Sequence, residues 1–467
     1  MNLAFLFYVC LRHKLVLMFK SIHPFDQSLV GEFPVMSTST VHEKLDVASN
    51  AFKDWKKTSF AHRSDLMLKA ASIIRENKEA YARTVTLEMG KLISEARAEV
   101  EKSATACEYF AHHAEQFLAD QYIATEGRRS LIAFQPIGAV LAIMPWNFPF
   151  WQVFRFAAPV LMAGNVGILK HAPNVTKCSL LIEKIFREAG FPEGVFQSLV
   201  IEVDLVEGIM ESNIVQGVAL TGSEFAGSQV AAIAGKNIKR SVLELGGSDA
   251  FIVLPDADLD KTVKIATQSR MQNVGQSCIA AKRFIIHKDI KKEFVSRFEE
   301  SIRALIQGDP LNEKNTLGPL ARIDLAEKIE KQLKKSIELG ARLLVGGTRS
   351  GCNFQATLLD NVKPGMPAFD EETFGPLAAV IEAKNEEEAI ALANQSRFGL
   401  GATVWTQDLT RGERIAREID SGSVLVNALM RSDVKLPFGG VKKSGYGREL
   451  SEFGIKEFVN VKTISIA

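Results

Sequence analysis

Val218-Ala-Leu-Thr-Gly-Ser-Glu-Phe-Ala-Gly227 reads VALTGSEFAG, and the way this stretch breaks decides the architecture. Its first residues are strand-like and run into the turn Thr221-Gly222-Ser223. A helical segment then opens, with Gly227 one turn in. A strand that ends on a glycine turn and feeds a helix is the joint of a βαβ unit. Backbone N–H groups at such a helix start suit a pyrophosphate, and glycine lets the backbone come close to it. One such joint is a common structural turn, so the surrounding chain has to supply the rest.

Working outward, the same texture repeats. Short β-rich runs (LIAFQ, GAVLAIM, GILK, GVAL, SVLEL, AFIVL) alternate with helical runs at 177–189 and 225–234. That alternation predicts a mostly parallel, doubly wound sheet. A second α/β series follows, with RFIIH, ARLLV, LAAVI, ATVWT and SVLVN as strands and helices near 291–306, 324–339, 385–393 and 409–419. Before both lies a helical stretch from about Thr40 to Asp120, where Leu45, Ala48, Phe52 and Trp55 recur at three- and four-residue steps. LIAFQ and the final FVNVKTISI read as exposed strand material, and unpaired edges predict strand exchange between subunits.

The 467 residues are 46% hydrophobic and 24% charged, enough to bury a large core. Lys+Arg 56 against Asp+Glu 55 leaves a net charge of +1, which argues against a nucleic-acid footprint. The 5 cysteines are few and scattered, so no disulfide framework is implied and a reducing cytoplasm is the expected location. The 8 histidines show no metal-ligand spacing, and no metal is expected. Leu3 to Leu11 is apolar but too short to span a bilayer and lacks the layout of a signal peptide, so no membrane association is expected.

Neither GxGxxG nor GxxxxGK[ST] occurs. Other stretches carry chemistry. NVGQSCIAAKR at 273–283 holds Cys278, which by itself reads as a nucleophile or as a small buried side chain. IMPWNFPFWQVFR at 143–155 surrounds one amide, Asn147, with prolines and aromatic rings. In a cleft, its NH2 would donate to an oxyanion. Arg155, on the same stretch, is costly to bury without an anion. ILKHAP puts Lys170 at the end of a strand, where open sheets bind ligands. LELGGSDAF ends a strand on Glu244 before two glycines, a position open to a base or to a plain surface acid. EETFGP at 371–376 and PFGGVKKSGYGRE at 437–449 are loops in their own right.

In order and spacing, PWNFP, the strand lysine, TGS with Gly227, ELGG, GQSC, EETFGP and PFGGVKKSGYGRE resemble the motif series of the NAD(P)-dependent aldehyde dehydrogenase superfamily, over nearly the whole chain from about Ile22. Closer in, MPWNFPFWQVFR, LKHAPN, LELGGSD and FGGVKKSGYGREL look like the bacterial succinate-semialdehyde dehydrogenases of the Sad type. The resemblance implies an α/β fold with a Rossmann-like cofactor domain, an α/β catalytic domain and a small β oligomerisation element. It implies an NAD(P)-binding domain over 18–120 and 138–243, a catalytic domain over 244–436 and oligomerisation strands at 121–137 and 450–467 of a homodimer or homotetramer. Residues 1–17 would then be an extension outside the fold.

The same resemblance assigns roles. Cys278 would be the nucleophile, Asn147 the oxyanion donor and Glu244 the base for a hydrolytic water. Lys170 and Glu372 would meet the riboses, and Gly222, Ser223 and Gly227 the pyrophosphate. Phe374, Trp146 and Leu245 would lie beside the cofactor. Arg155, Trp151, Gln272, Arg431 and Ser432 would face the aldehyde. The reaction implied is oxidation of succinate semialdehyde to succinate. Glutarate semialdehyde, a simple or aromatic aldehyde, CoA as acyl acceptor, and an inactive binding protein are the alternatives.

Two departures bear on specificity. Pro173 stands where many family members have an acid, so a 2′-phosphate is not repelled; His171 and Pro173 crowd the spot, which tips the expectation to NAD with NADP open. Gln272 stands where the better-known succinate-semialdehyde enzymes have an arginine, and Arg431 or Ser432 would have to compensate.

Overall fold

A computed structural model describes residues 17–467; the expectation for the N-terminal extension falls almost wholly outside the described residues. Two open sheets dominate. The first runs in the order Gly445–Tyr446, Arg240–Glu244, Val215–Thr221, Ala139–Met144, Val166–His171, Phe196–Ser198. All neighbours are parallel except the short edge pair Gly445↔Glu244 and Tyr446↔Leu243. The chain winds outward one way from Ala139–Met144 and then returns to its other side at Val215–Thr221. The strand order therefore reverses between these two strands, and ligands of open α/β sheets bind beyond the carboxyl ends at such a point. Met144 and Thr221 mark those ends.

The second sheet has seven strands: Arg342–Val345, Thr357–Asp360, Leu377–Ala383, Ala281–His287, Asp249–Val253, Gly401–Trp405 and Ser423–Val426. Only the first of these is antiparallel to its neighbour. Strands Asp249–Val253 and Leu377–Ala383 are apolar along almost their whole length and buried on both faces, as parallel strands covered by helices are. The helix Trp151–Met162 is buried at every residue. It packs against the 25-residue helix Ile93–Phe117, whose inner face is mostly small: Ala96, Ser103, Ala104, Ala106 and Cys107.

Arg129–Pro136 and Val459–Ile466 do not wait for another subunit to be paired. They form an antiparallel ladder with each other, Pro136↔Val459 through Arg129↔Ile466, and Gln121–Ile123 adds a third strand. The intramolecular ladder satisfies those backbone groups, while Tyr122, Ile123, Val461 and Ile466 stay exposed on the sheet. Among the described residues no helix is long and apolar enough to cross a membrane.

Candidate active site

Cys278 ends a segment in an unusual conformation. Asn273, Val274 and Gly275 all have positive φ (51°, 56° and 71°), and for a β-branched valine that is a strained state. Neighbours hold it there. The Glu95 carboxylate accepts from the Asn273 backbone N–H at 3.0 Å, and the Asn273 side chain donates to the carbonyls of Asn147 and Gln276. Arg270, fully buried, donates to the carbonyls of Gly275, Thr373, Gly375 and Ala281. Behind the cysteine, buried Lys282 donates to the carbonyls of Ser277 and Cys278.

The loop opposite is fixed by Lys91, just before the helix Ile93–Phe117, and by Glu99 on that helix. Lys91 and Glu99 form an ion pair with both side chains almost wholly buried. Lys91 Nζ also donates to the Asn147 carbonyl at 2.8 Å, and Glu99 accepts from the N–H groups of Phe150 and Trp151. Removing two charges from water is costly unless every remaining proton and lone pair is used, and here they hold one short loop. Asn147 Nδ2 donates to the Gln276 carbonyl at 3.0 Å, and its Oδ1 accepts from Gln152. One amide proton of Asn147 is left for the cleft.

Two cavities meet at Cys278, sharing it and Gln152. The first, about 800 Å³ to its mouth, is lined by Trp146, Asn147, Thr221, Gly222, Ser223, Leu245, Gly246, Glu372 and Phe374. Trp146 and Phe374 meet edge to face at 5.8 Å. Ser223 caps the helix Glu224–Lys236 by accepting from the Ala226 N–H, so its own hydroxyl proton is free. Gly222 adds no side chain beside that helix start, and the Gly222 N–H donates to the Glu244 carbonyl. Glu372 docks on the Gly246-Gly247 turn, accepting from the Gly247 N–H at 2.9 Å; a Cβ on Gly246 would lie 2.5 Å from its carboxylate. A slot with aromatic walls, a helix N-terminus and a carboxylate held by glycines fits a dinucleotide.

Gly227 and Lys170 do not line that slot. Gly227 packs: a Cβ there would sit 2.6 Å from Leu245, so its role is to let the helix close on the strand end. Lys170 is buried at the end of Val166–His171, and that burial lowers its pKa, with Glu202 acting against the shift. His171 does not crowd this end as expected. Its ring is turned inward, Nε2 on the Pro149 carbonyl and Nδ1 accepting from the Ala172 N–H, and burial lowers its pKa to about 4.

The second cavity brings together Trp151, Arg155, Gln272, Arg431 and Ser432 with Phe148, Lys102 and Phe438. Arg155 has its anion: it pairs with buried Glu449, donates to Thr221 Oγ1 and lies over the Phe438 ring at 4.9 Å.

Glu244 lines neither cavity. Its carboxyl is buried near Gly439 and Glu449, and neither oxygen has a hydrogen-bond partner. Burial and the Glu449 charge push its pKa well up, while Arg155 opposes them. Cys278 keeps part of its surface open to the cavities, yet burial pushes its thiol up to about 12, against the pull of Lys282 and Arg155.

The sequence pattern of the aldehyde dehydrogenase family matches residues 14–464. The chain belongs to the aldehyde dehydrogenase family. Among its members it is 48% identical over 450 residues to a probable NADP(+) succinate-semialdehyde dehydrogenase of Synechocystis, covering 96% of this chain and 99% of the relative. It is 44% identical to the NAD(P)+ succinate semialdehyde dehydrogenase Sad of Escherichia coli K12, covering 95% of this chain and 97% of that one. The fold matches the crystal structure of succinic semialdehyde dehydrogenase from Streptococcus pyogenes in complex with NADP+ at a TM-score of 0.94 and 35% identity, over 96% of this chain and 99% of that one. The aldehyde dehydrogenase fold expected from the motifs is thus the fold observed.

Sequence reasoning missed Lys91, Glu95, Glu99, Lys102, Gln152, Lys282 and Glu449. Three of them carried a signal: Glu95, Glu99 and Lys102 stand at three- and four-residue spacing on one helix whose buried face is rich in Ala and Ser, and Lys91 lies just before it.

Proposed function

We propose that this aldehyde dehydrogenase oxidises succinate semialdehyde to succinate, with NADP or NAD as hydride acceptor. The observation that carries the reading is the place of Cys278 on the shared wall of two unlike cavities, one suited to a dinucleotide and one lined by cations. The names of the relatives in Synechocystis and Escherichia coli support the substrate and weight the cofactor toward NADP. Pro173 in place of an acid, and a His171 ring turned away, leave room for a 2′-phosphate.

Cys278 Sγ attacks the aldehyde carbon, its proton passes to solvent water in the open cleft, and the carbonyl oxygen becomes an oxyanion. Lys282 and Arg155 are the cations that lower the cost of the thiolate. Asn147 Nδ2 and the Cys278 N–H donate to the oxyanion, an arrangement typically contributing a hundredfold or more in rate. A bound nicotinamide would supply the acceptor for the hydride lost from the same carbon, which would leave a thioester on Cys278. Glu244, once ionised, takes a proton from a water that adds to the thioester; the C–S bond breaks and the thiol is restored. Neither oxygen of the Glu244 carboxyl is hydrogen-bonded, so its side chain is free to rotate toward the cleft without breaking a contact. Ser223 and Glu372, which line the first cavity, are the residues that would hold the cofactor. Residues 18–120 with 138–243 would form its domain and 244–436 the catalytic one, and the exposed three-stranded sheet would join subunits of a homo-oligomer.

The apolar side of the second cavity, Phe148, Trp151 and Phe438, favours a simple or aromatic aldehyde as the second reading. Reduced-nicotinamide formation by purified protein, with succinate semialdehyde against acetaldehyde and NAD beside NADP, decides between them. A strong preference for succinate semialdehyde, lost with all turnover in Cys278→Ala, is the expected result. Equal rates would remove the dicarboxylic substrate and leave the chemistry.

A further inference from the structure

The second cavity contains three cations, Lys102, Arg155 and Arg431, and no Asp or Glu lines it among the described residues. The cations are not equivalent. Arg155 is already paired with Glu449. Lys102 has no carboxylate within ion-pair distance among the described residues. It reaches across from the helix Ile93–Phe117, places Nζ 4.0 Å over the Trp151 ring and donates to Ser432 Oγ at 2.8 Å. The nearest acids are otherwise engaged: Glu99 holds Lys91 and two backbone N–H groups, and Asp433 accepts from the Lys435 N–H. Ser432 Oγ accepts from Lys102 and keeps its own proton. An ammonium with spare protons beside a free hydroxyl proton makes a two-pronged donor for a carboxylate.

We propose that Lys102, with Ser432 beside it, is the residue that selects the substrate by binding its distal carboxylate. The inference rests on the semialdehyde reading above and deepens it: Gln272 leaves that side of the cavity uncharged, and a lysine from a different helix supplies the charge. Burial, and then the Arg155 charge, lower the Lys102 pKa to about 8; Arg431 adds to the shift, and Asp433 and Glu99 oppose it. Lys102 is therefore charged at pH 7 and loses its charge as pH rises through about 8.

The test compares kcat/KM for succinate semialdehyde with kcat/KM for butanal, an uncharged four-carbon aldehyde, in the parent and in Lys102→Met and Lys102→Arg. The ratio cancels whatever affects Cys278 alone. It should fall roughly tenfold to a hundredfold in Lys102→Met, the usual worth of a charge-assisted contact, and should largely return in Lys102→Arg. Butanal turnover in the same sample reports a folded site. The parent gives an arm that needs no variant: its ratio should fall by about tenfold between pH 7 and 9.5, and Lys102→Arg should stay flat. A Lys102→Met ratio within twofold of the parent, or a pH-independent parent ratio, overturns the role of Lys102 and leaves the semialdehyde reading standing. A parent with no preference for succinate semialdehyde overturns both.

Discussion

The loop that carries Cys278 and the corner that holds Glu244 are built on opposite plans. Around the cysteine, a strained backbone is tied down by Glu95, Arg270, Lys282 and Asn147. Around Glu244, a buried carboxyl is left with no partner for either oxygen. An unsatisfied buried group costs stability, so its persistence calls for a reason. The contrast supplies one. A nucleophile must be held close to attack geometry, where a small displacement is expensive in rate. In the role proposed for Glu244, a base acting after the acyl group has formed, it must change both its protonation and its direction, and every fixed hydrogen bond would oppose that.

The largest expected effect breaks the second half of the contrast. Glu244→Gln should lower steady-state turnover by about a hundredfold to ten-thousandfold while keeping a burst of one reduced nicotinamide per site, because only thioester hydrolysis is lost. A missing burst would move Glu244 into the first half-reaction. In the parent, where hydrolysis limits, the rate should rise with pH along a limb whose midpoint lies above the ordinary carboxyl value, since burial and Glu449 hold the proton on; Glu244→Gln should lose that limb.

A smaller effect loosens the pinned side. Lys91→Met leaves the Glu99 charge buried without its cation and should cost about 3–5 kcal/mol in denaturant unfolding, with a drop in kcat as the Asn147 carbonyl is released. An unchanged midpoint would mean the pair adds nothing to the scaffold. The smallest touches neither region directly. Gly227→Ala forces a methyl onto Leu245 and should cost about 1–3 kcal/mol in denaturant unfolding, with kcat nearly kept; because Leu245 lines the first cavity, the KM for the cofactor should rise.

The strand–turn–helix joint at Thr221, the second α/β series and the order of the motifs were legible because each is local: a period, a turn residue, a spacing. Cys278, Asn147, Glu372 and Ser223 line the first cavity together. What stayed hidden was always a partner distant in sequence. Arg155 announced that it needed an anion, but nothing near it named Glu449. Glu244 was legible as a strand-end acid, not as a carboxyl facing another acid. Gly227 was legible as a glycine at a helix start, while its reason, the Leu245 side chain, lies on the next strand's exit. His171 shows the same gap: beside Pro173 it reads as an obstacle, and only the Pro149 carbonyl turns it inward. Periodicity tells which face of an element is buried, and never what sits across from it.

The raised thiol of Cys278 has a consequence for the survival of the protein between turnovers. Peroxide attacks thiolate, not thiol. A cysteine held up to about 12 is protonated at neutral pH, and the other described cysteines, Cys107, Cys178 and Cys352, are all shifted the same way by burial. Burial thus favours the thiol over the thiolate at rest, and peroxide inactivation of the parent, read as residual turnover after exposure, should quicken as pH rises.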